Sequence, residues 1–168
     1  EPFGAGLQLV NILKDITDDL QRGWSFVPRS MCRAQGLHNR DLSNPLLRSK
    51  AHRAVTPLFD LARRNLDRAL DYALSVPPEH AEIRLFCLLP LWLAVRTIAQ
   101  AYGNDAMFTP NQQVKVSRQE VEEIIRRCTR DVGNDVALAA DYEAMWNPVT
   151  RVMAAPWTSA ALAEMEVA

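Results

Sequence analysis

The segment NILKDITDDLQRGW, residues 11–24, contains three aspartates within five positions of a helix that is otherwise apolar. Aspartate is a poor helix former, because its short side chain competes with the helix for backbone hydrogen bonds. Positions three and four apart share one face of a helix, so the polar residues here and in the preceding turn form one stripe. That stripe consists of Gln8, Asn11, Asp15, Asp18, Asp19 and Arg22.

Two interpretations of the stripe follow from its residue types. A solvated helix face normally favours Lys, Glu and Gln, whereas short Asn and Asp side chains hold a fixed geometry. Neighbouring carboxylates repel each other unless a cation lies among them, and oxygen ligands of this kind suit Mg²⁺ bridged to a phosphate. The stripe therefore predicts a cavity wall that holds a metal–diphosphate. The alternative is an ordinary acidic surface, with Asp18 and Asp19 paired to the basic residues Lys14 and Arg22.

Composition indicates one globular domain, because the chain has 168 residues and 48% of them are hydrophobic. A formal net charge of −1 gives no reason to expect nucleic acid or an anionic membrane as a partner. The widely spaced Cys32, Cys87 and Cys128 match neither a disulfide framework nor a metal clip, which favours a reducing cytoplasm. No apolar run reaches the roughly 20 residues that span a bilayer. Glu1 already lies in a helical pattern, which suggests that an upstream segment is missing.

Hydrophobic periodicity predicts helices along the chain and no strands. A first helix is expected over 3–21, with Gly23 as its terminator. Pro57 is expected to kink the next long helix or divide it in two. The segment 82–103 is apolar on nearly all sides, which is typical of the central helix of a bundle.

The remaining segments complete an all-α prediction. A short helix is expected over 29–35, and the turn formers of 36–45 predict a loop. Ser117 and Glu120 have the spacing of a capping box, which predicts a helix start. The sequence therefore predicts a single all-helical domain over 1–168.

Two stretches resemble motifs of the squalene and phytoene synthase family. GLQLVNILKDITDDLQRGWSFVP, residues 6–28, is similar to the family's second aspartate-rich motif. FCLLPLWLAVRTIAQAYGNDAMF, residues 86–108, followed by VKVSR at 114–118, resembles the late helix and flap of squalene synthases more than those of phytoene synthases. The resemblance implies a helical bundle of the isoprenoid synthase type, of which this chain is the C-terminal part without the N-terminal helices.

The resemblance also implies site residues. Asp15 and Asp19 would be catalytic and, together with Asp18, would hold Mg²⁺ on a prenyl diphosphate. Lys115 and Arg118 would bind the phosphate of NADPH, because a cationic pair beside a loop can clamp a phosphate. Ser117 stands where squalene synthases often have a second cation. Asn11 would also contact the cofactor, and the substrate would be bound by Gln8, Asn11, Arg22, Phe86, Cys87 and Pro90, the last three at the deep end of a pocket.

For Phe86 and Cys87 the alternative is ordinary core packing. Asp67 and Asp71 also have DxxxD spacing, but they lie downstream of the segment 6–28, whereas the family's other DxxxD motif lies upstream of it. Nearby arginines favour salt bridges of Asp67 and Asp71 on a solvated face. The family places two aspartate-rich helices opposite each other. The resemblance therefore implies a missing N-terminal half, supplied in cis or by a separate chain.

Members of this family condense two farnesyl diphosphates head to head into presqualene diphosphate, and squalene synthases then reduce it with NADPH to squalene. The resemblance implies such a Mg²⁺-dependent transferase of isoprenoid biosynthesis, in a sterol or hopanoid pathway. It would be cytoplasmic, with peripheral membrane contact for product release. Two alternatives remain open: a phytoene or dehydrosqualene synthase without the reductive step, and a non-catalytic helical partner that binds prenyl diphosphate.

Overall fold

Seven α-helices and three short 3₁₀ helices build the part of the chain that the computed structural model describes, residues 2–154, with side chains described as far as Trp146. This part contains no strand, and the predicted all-α fold class is confirmed. A single domain over the whole of 1–168 stays a prediction. The α-helices are α1 (Pro2–Lys14), α2 (Ile16–Gln21), α3 (Arg29–Ala34), α4 (Arg48–Ser75), α5 (Ala81–Ala101), α6 (Arg118–Asp131) and α7 (Asp135–Ala154).

The predicted continuous helix over 3–21 is wrong at one point, because the chain breaks between α1 and α2 at Asp15. Asp15 has φ −106° and ψ 15°, outside the usual helical range. Its N–H still donates to the carbonyl of Asn11 at 2.9 Å, and its carbonyl accepts from the N–H of Asp19 at 2.9 Å. The low helix propensity of aspartate explains why the break falls here. Gly23, with φ +82°, follows the end of α2 as predicted.

The long helix α4 runs through Pro57, so the predicted division into two helices is wrong. A kink at this point stays a prediction. Pro57 is exposed, whereas the next residues, Leu58 and Phe59, are buried. The proline ring therefore lies on the solvent side, where water can bind the carbonyl that has lost its partner. Burial of the opposite face maintains the helix.

Helix α5 is the central helix of the bundle, as its apolar composition predicts, and it packs against α1, α4, α6 and α7. Trp92 in its middle has no exposed surface. The helix ends before Gly103, whose φ of +68° suits a glycine. Its first turns differ, because Ile83 and Phe86 are exposed and present an apolar face to solvent. Across residues 2–154, no helix is both long enough and apolar enough to cross a bilayer.

The segment 36–45, predicted as loop, largely forms 3₁₀ turns, and this part of the prediction is wrong. One 3₁₀ helix spans Asn39–Ser43 and the next spans Pro45–Leu47. The carboxylate of Asp41 accepts from the N–H of His38 at 2.8 Å. Short polar side chains thus bind the local backbone, and this bonding tightens the chain into 3₁₀ turns.

Polar contacts hold α7 against the core that α4 and α5 form. Arg84 has no exposed surface, and its guanidinium binds the carboxylate of Asp135 at the start of α7. The hydroxyl of Tyr142 donates to Asp67 at 2.8 Å. Asp67 also pairs with Arg63 at 3.8 Å, as the salt-bridge interpretation of this residue predicts. Because it binds Tyr142 as well, Asp67 joins two helices and is more than a solvated surface residue.

Candidate active site

The three aspartates of the segment 6–28 lie around the break between α1 and α2. Asp15 occupies the break, and Asp18 and Asp19 follow in the first turns of α2. Beneath them, Ile16 and Thr17 are buried and anchor α2 to the core. The carboxylates are only partly buried, and the other stripe residues are exposed. The fold therefore turns the polar stripe outward as one face, hereafter the aspartate face: Gln8, Asn11, Asp15, Asp18, Asp19 and Arg22.

The fold perturbs the ionisation of Asp19, whose side chain is 13% exposed. Burial is the main cause that raises the pKa of this carboxyl, and the negative charge of Asp15 raises it further. The positive charge of Arg22 opposes this shift, and Asp18 adds to it. The guanidinium of Arg22 lies 3.8 Å from the Asp19 carboxylate and is largely exposed, so its compensation is weak. The aspartate face therefore carries excess negative charge that a bound cation would relieve.

The acidic-surface alternative is only partly met by the observed pairing. Its pair between Asp19 and Arg22 is present, but Lys14 pairs with Asp15 at 2.6 Å and not with Asp18. Asp18 instead accepts from the side-chain amide of Gln113 at 3.0 Å. A neutral amide leaves the charge of Asp18 in place.

The donor set determines which kind of metal site these residues fit. Among the described side chains, no three from His, Cys, Asp and Glu come together to hold a metal ion. The face thus offers too few converging ligands for a site built by the protein alone. Mg²⁺ keeps several waters and is commonly held by one or two carboxylates plus substrate phosphates. The residues present fit a Mg²⁺ ion that is held partly by one or two of these carboxylates and partly by the phosphates of a bound diphosphate.

The third 3₁₀ helix spans Asp105–Phe108, and the segment between it and α6 lies against the aspartate face. Gln113, which bonds to Asp18, is followed by the buried Val114 and then by the exposed Lys115. Arg118 is the exposed first residue of α6. The structure therefore holds the two cations predicted for NADPH on a segment that is tethered to the aspartates. Ser117 caps α6, with its hydroxyl 3.2 Å from the N–H of Glu120, so the capping-box prediction is confirmed.

Sequence reasoning missed Gln113. This residue is 95 positions away from Asp18, and no local pattern links the two. The only available signal was the resemblance of 114–118 to a family flap, which placed Lys115 near the site but not its neighbour.

The residues predicted for the deep end of a pocket are dispersed by helix periodicity. The ring of Phe86 is 81% exposed, whereas Cys87 is buried in the core. Burial also raises the pKa of the Cys87 thiol, which keeps it unreactive. Pro90 is half-buried on the same helix. Within the described residues Phe86 lies on an open apolar face, and its place at the deep end of a pocket stays a prediction.

A cleft of about 270 Å³ between α5, α6 and α7 lies apart from the aspartate face. Its charged residues already have partners: Arg96 binds Glu120, and Arg127 donates to Asp141 at 2.5 Å. These pairs connect the helices and leave no free charge for a ligand, so this cleft is a structural feature.

Comparison with known proteins identifies what this arrangement resembles. A family model described as squalene/phytoene synthase matches residues 1–120. The squalene synthase of Yarrowia lipolytica is 28% identical over 115 residues, which is 68% of this chain and 25% of that protein. The squalene synthase of Schizosaccharomyces pombe is 26% identical over 142 residues, covering 77% of this chain and 30% of that protein. The chain thus spans about a quarter to a third of the length of these relatives.

A solved structure described as the complex of TcSQS with the ligand E5700 has the same fold. It superposes on 90% of this chain and 49% of its own, with a TM-score of 0.71 and 20% sequence identity. The predicted helical bundle of the isoprenoid synthase type is therefore confirmed.

Proposed function

The chain belongs to the squalene/phytoene synthase family, and from that premise we propose that it forms the second aspartate-rich half of an enzyme that joins two farnesyl diphosphates head to head. The product of this step is presqualene diphosphate, which is then reduced with NADPH to squalene. The observation that carries the proposal is the aspartate face together with the segment 113–118. This segment bears two cations, and a hydrogen bond from Gln113 to Asp18 holds it to the face.

Asp15 and Asp19 are the proposed catalytic carboxylates, and with Asp18 they hold Mg²⁺ against a prenyl diphosphate. When bound, Mg²⁺ neutralises charge on the departing diphosphate. The raised pKa of Asp19 supports this role, because burial, followed by the charge of Asp15, makes its ionised form costly in the absence of a cation. Gln8 and Asn11 lie exposed on α1, at the same face, and are the proposed polar contacts of the diphosphate.

Arg22 is the proposed third contact of the diphosphate, since its guanidinium is largely exposed and next to Asp19. The apolar side of the substrate is assigned to the first turns of α5, where Phe86 and Pro90 offer surface that excludes water. Carbocation chemistry needs such exclusion, and aromatic faces also stabilise cations. Cys87, the next residue after Phe86, is buried and is the proposed support of this apolar surface.

We assign the reductive step to Lys115 and Arg118, together with the exposed Asn11 of α1. Both cations are exposed, and neither has an ion pair among the described residues. They are thus available for the phosphates of NADPH.

A second candidate is a phytoene or dehydrosqualene synthase, which releases its product without reduction. One observation favours it: Ser117, at the position where a second cation is common, is used to cap α6. A third candidate, a non-catalytic partner that binds prenyl diphosphate, is favoured by one observation: among the described side chains, no three potential metal ligands come together. For either enzyme we propose that further polypeptide, in cis or as a separate chain, supplies the facing aspartates.

Product analysis separates these functions. The protein, purified from its native source so that any associated chain is retained, is incubated with farnesyl diphosphate and Mg²⁺, with and without NADPH. Squalene formed only with NADPH supports the first proposal, and dehydrosqualene or phytoene in both conditions supports the second. If substrate is bound but not consumed, and intact mass shows no chain with a second DxxxD motif, the third applies.

We propose a cytoplasmic location, with peripheral membrane contact that releases the apolar product.

A further inference from the structure

A basic cleft lies on α3 and the 3₁₀ helix that follows, in a region that the proposed function does not use. It encloses about 370 Å³. None of its lining residues carries a carboxylate, although the formal net charge of the whole chain is −1. The overall charge therefore conceals a local concentration of positive charge. The lining residues are Arg29, Arg33, Leu37, His38, Asn39 and Arg40.

The backbone around this basic cleft is fixed by side-chain hydrogen bonds. The amide of Asn39 donates to the hydroxyl of Ser25 at 2.7 Å and to the carbonyl of Val27 at 2.6 Å. On the next residues, Asp41 accepts from the N–H of His38 at 2.8 Å. The arginines thus project from a frame that is held on both sides, which reduces the entropy lost when they bind a ligand.

The guanidinium groups of the basic cleft are not used within the fold. Among the described residues, Arg29 and Arg33 form no ion pair, and Arg40 lies 4.0 Å from Asp41 with its side chain 85% exposed. An exposed pair at that distance contributes little. Lys50 adds a further positive charge next to Gly36, beside α3. Uncompensated like charges around a concavity attract an anion.

We propose that the basic cleft binds a phosphate-bearing anion, either a soluble diphosphate or the headgroup of an anionic phospholipid. Three guanidinium groups offer paired N–H donors that match phosphate oxygens. The inference is independent of the proposed function, because no residue of the cleft belongs to the aspartate face.

The phospholipid source has its own structural basis. Trp24 and Phe26 are 59% and 53% exposed, and they lie on the segment that Asn39 ties to the cleft. Aromatic side chains of this kind favour the boundary between lipid headgroups and acyl chains. Basic side chains beside them add attraction to an anionic surface.

The first experiment measures binding of inorganic diphosphate to the full chain by calorimetry in EDTA, which prevents Mg²⁺-dependent binding at the aspartate face. The triple variant Arg29→Gln, Arg33→Gln, Arg40→Gln should bind about tenfold more weakly or worse, because its charge-assisted hydrogen bonds are lost. The control variant Arg64→Gln, Arg68→Gln, Arg126→Gln removes the same charge from exposed positions elsewhere and should retain binding. Asp15→Asn with Asp19→Asn should also retain it, whatever these substitutions do to catalysis.

The second experiment uses sedimentation with vesicles of phosphatidylcholine alone or with phosphatidylserine. Binding to phosphatidylserine vesicles that the cleft variant loses, with no binding of inorganic diphosphate, supports the proposal and assigns the lipid source. Binding of soluble diphosphate that the cleft variant loses supports it with the soluble source. Equal losses in the cleft and control variants, or no cleft-dependent binding in either experiment, would overturn the proposal.

Discussion

Asp19 carries a charge that the fold itself disfavours. Burial and the neighbouring Asp15 raise its pKa, so its neutral form is favoured in the folded chain compared with the unfolded one. At neutral pH the ionised carboxylate therefore costs stability, and this cost diminishes as the pH falls. A cation bound at the aspartate face would remove the same cost.

We therefore expect Asp19→Asn to stabilise the metal-free protein at neutral pH. Two like charges four residues apart in a helix cost about 0.2–0.5 kcal/mol, and the variant removes one of them. Urea unfolding at pH 7 in EDTA measures the change, with Asp71→Asn, at an exposed position of α4, as the matched control. Destabilisation of the Asp19 variant would show that this carboxylate is a structural partner and not part of a strained site.

At the same scale, residue types and spacing were enough to predict which side chains form the aspartate face. Positions three and four apart fall on one side of a helix, whatever the rest of the fold does. The bond from Gln113 to Asp18 could not be predicted in this way, because tertiary packing brings together residues that are far apart in the chain. The exposure of Phe86 was also out of reach, since apolar character alone does not distinguish core from open face.

At the level of elements, α6 depends on ionised Glu120. Hydrogen bonds from Arg96 and from the backbone and side chain of Ser117 lower the pKa of Glu120 to about 2. Because the folded-state pKa lies below the ordinary value of 4.5, ionised Glu120 stabilises the fold above that pH. Its contribution is lost as the pH falls towards 2.

The variant Glu120→Gln isolates this effect, because glutamine also serves in a capping box. We expect its free energy of unfolding to change less than that of the wild type between pH 4.5 and pH 2. Chemical denaturation across this range measures the difference, and Glu122→Gln, at an exposed position of the same helix, is the control. Parallel curves for wild type and Glu120→Gln would contradict the assigned cause.

Helix α4 shows where an element rule from sequence fails. Proline removes a backbone donor, and this predicted a kink or a division at Pro57, yet the buried face on the other side keeps 28 residues in one undivided helix. The exposed position of Pro57 could not be deduced without knowing which face of α4 meets the core.

Pro57→Ala should therefore stabilise the protein. Alanine restores the missing hydrogen bond, and the gain should be about 1–2 kcal/mol, below the roughly 3 kcal/mol between these residues in a helix, because proline also restricts the unfolded chain. Denaturant midpoints measure it. Pro45→Ala, at the first position of a 3₁₀ helix where proline is well suited, should give no gain. No difference between the two variants would argue against an intact helical geometry at Pro57.

At the level of the whole molecule, α7 is held to the bundle by a shared carboxylate. Asp141 accepts from the indole N–H of Trp92 at 2.6 Å and from the guanidinium of Arg127 at 2.5 Å. Trp92 is fully buried, so its N–H has no access to water if this partner is lost.

Asp141→Ala should destabilise the protein by about 2–4 kcal/mol, because it leaves a buried donor and a charged donor without an acceptor. Thermal or urea unfolding measures the loss. Glu143→Ala removes an exposed pair with Arg63 from the same helix and should cost at most about 1 kcal/mol. Equal effects of the two substitutions would show that α7 is not anchored through Asp141.

The whole-molecule fold was predictable because two separate motifs, at 6–28 and 86–118, point to the same family and lie in helices that pack together. The anchoring of α7 through Asp141 was not, because it depends on tertiary packing between residues 49 positions apart.

The most direct test of the central claim is product formation from farnesyl diphosphate by the Asp15→Asn and Asp19→Asn variants. Each variant is produced in the native source so that any associated chain is retained. If these carboxylates hold Mg²⁺ on a diphosphate, each variant should lose at least about two orders of magnitude in turnover. Asp71→Asn, at an exposed position outside the site, should retain full activity. Full turnover by Asp15→Asn and Asp19→Asn would contradict the account, because the aspartate face would then be an ordinary acidic surface.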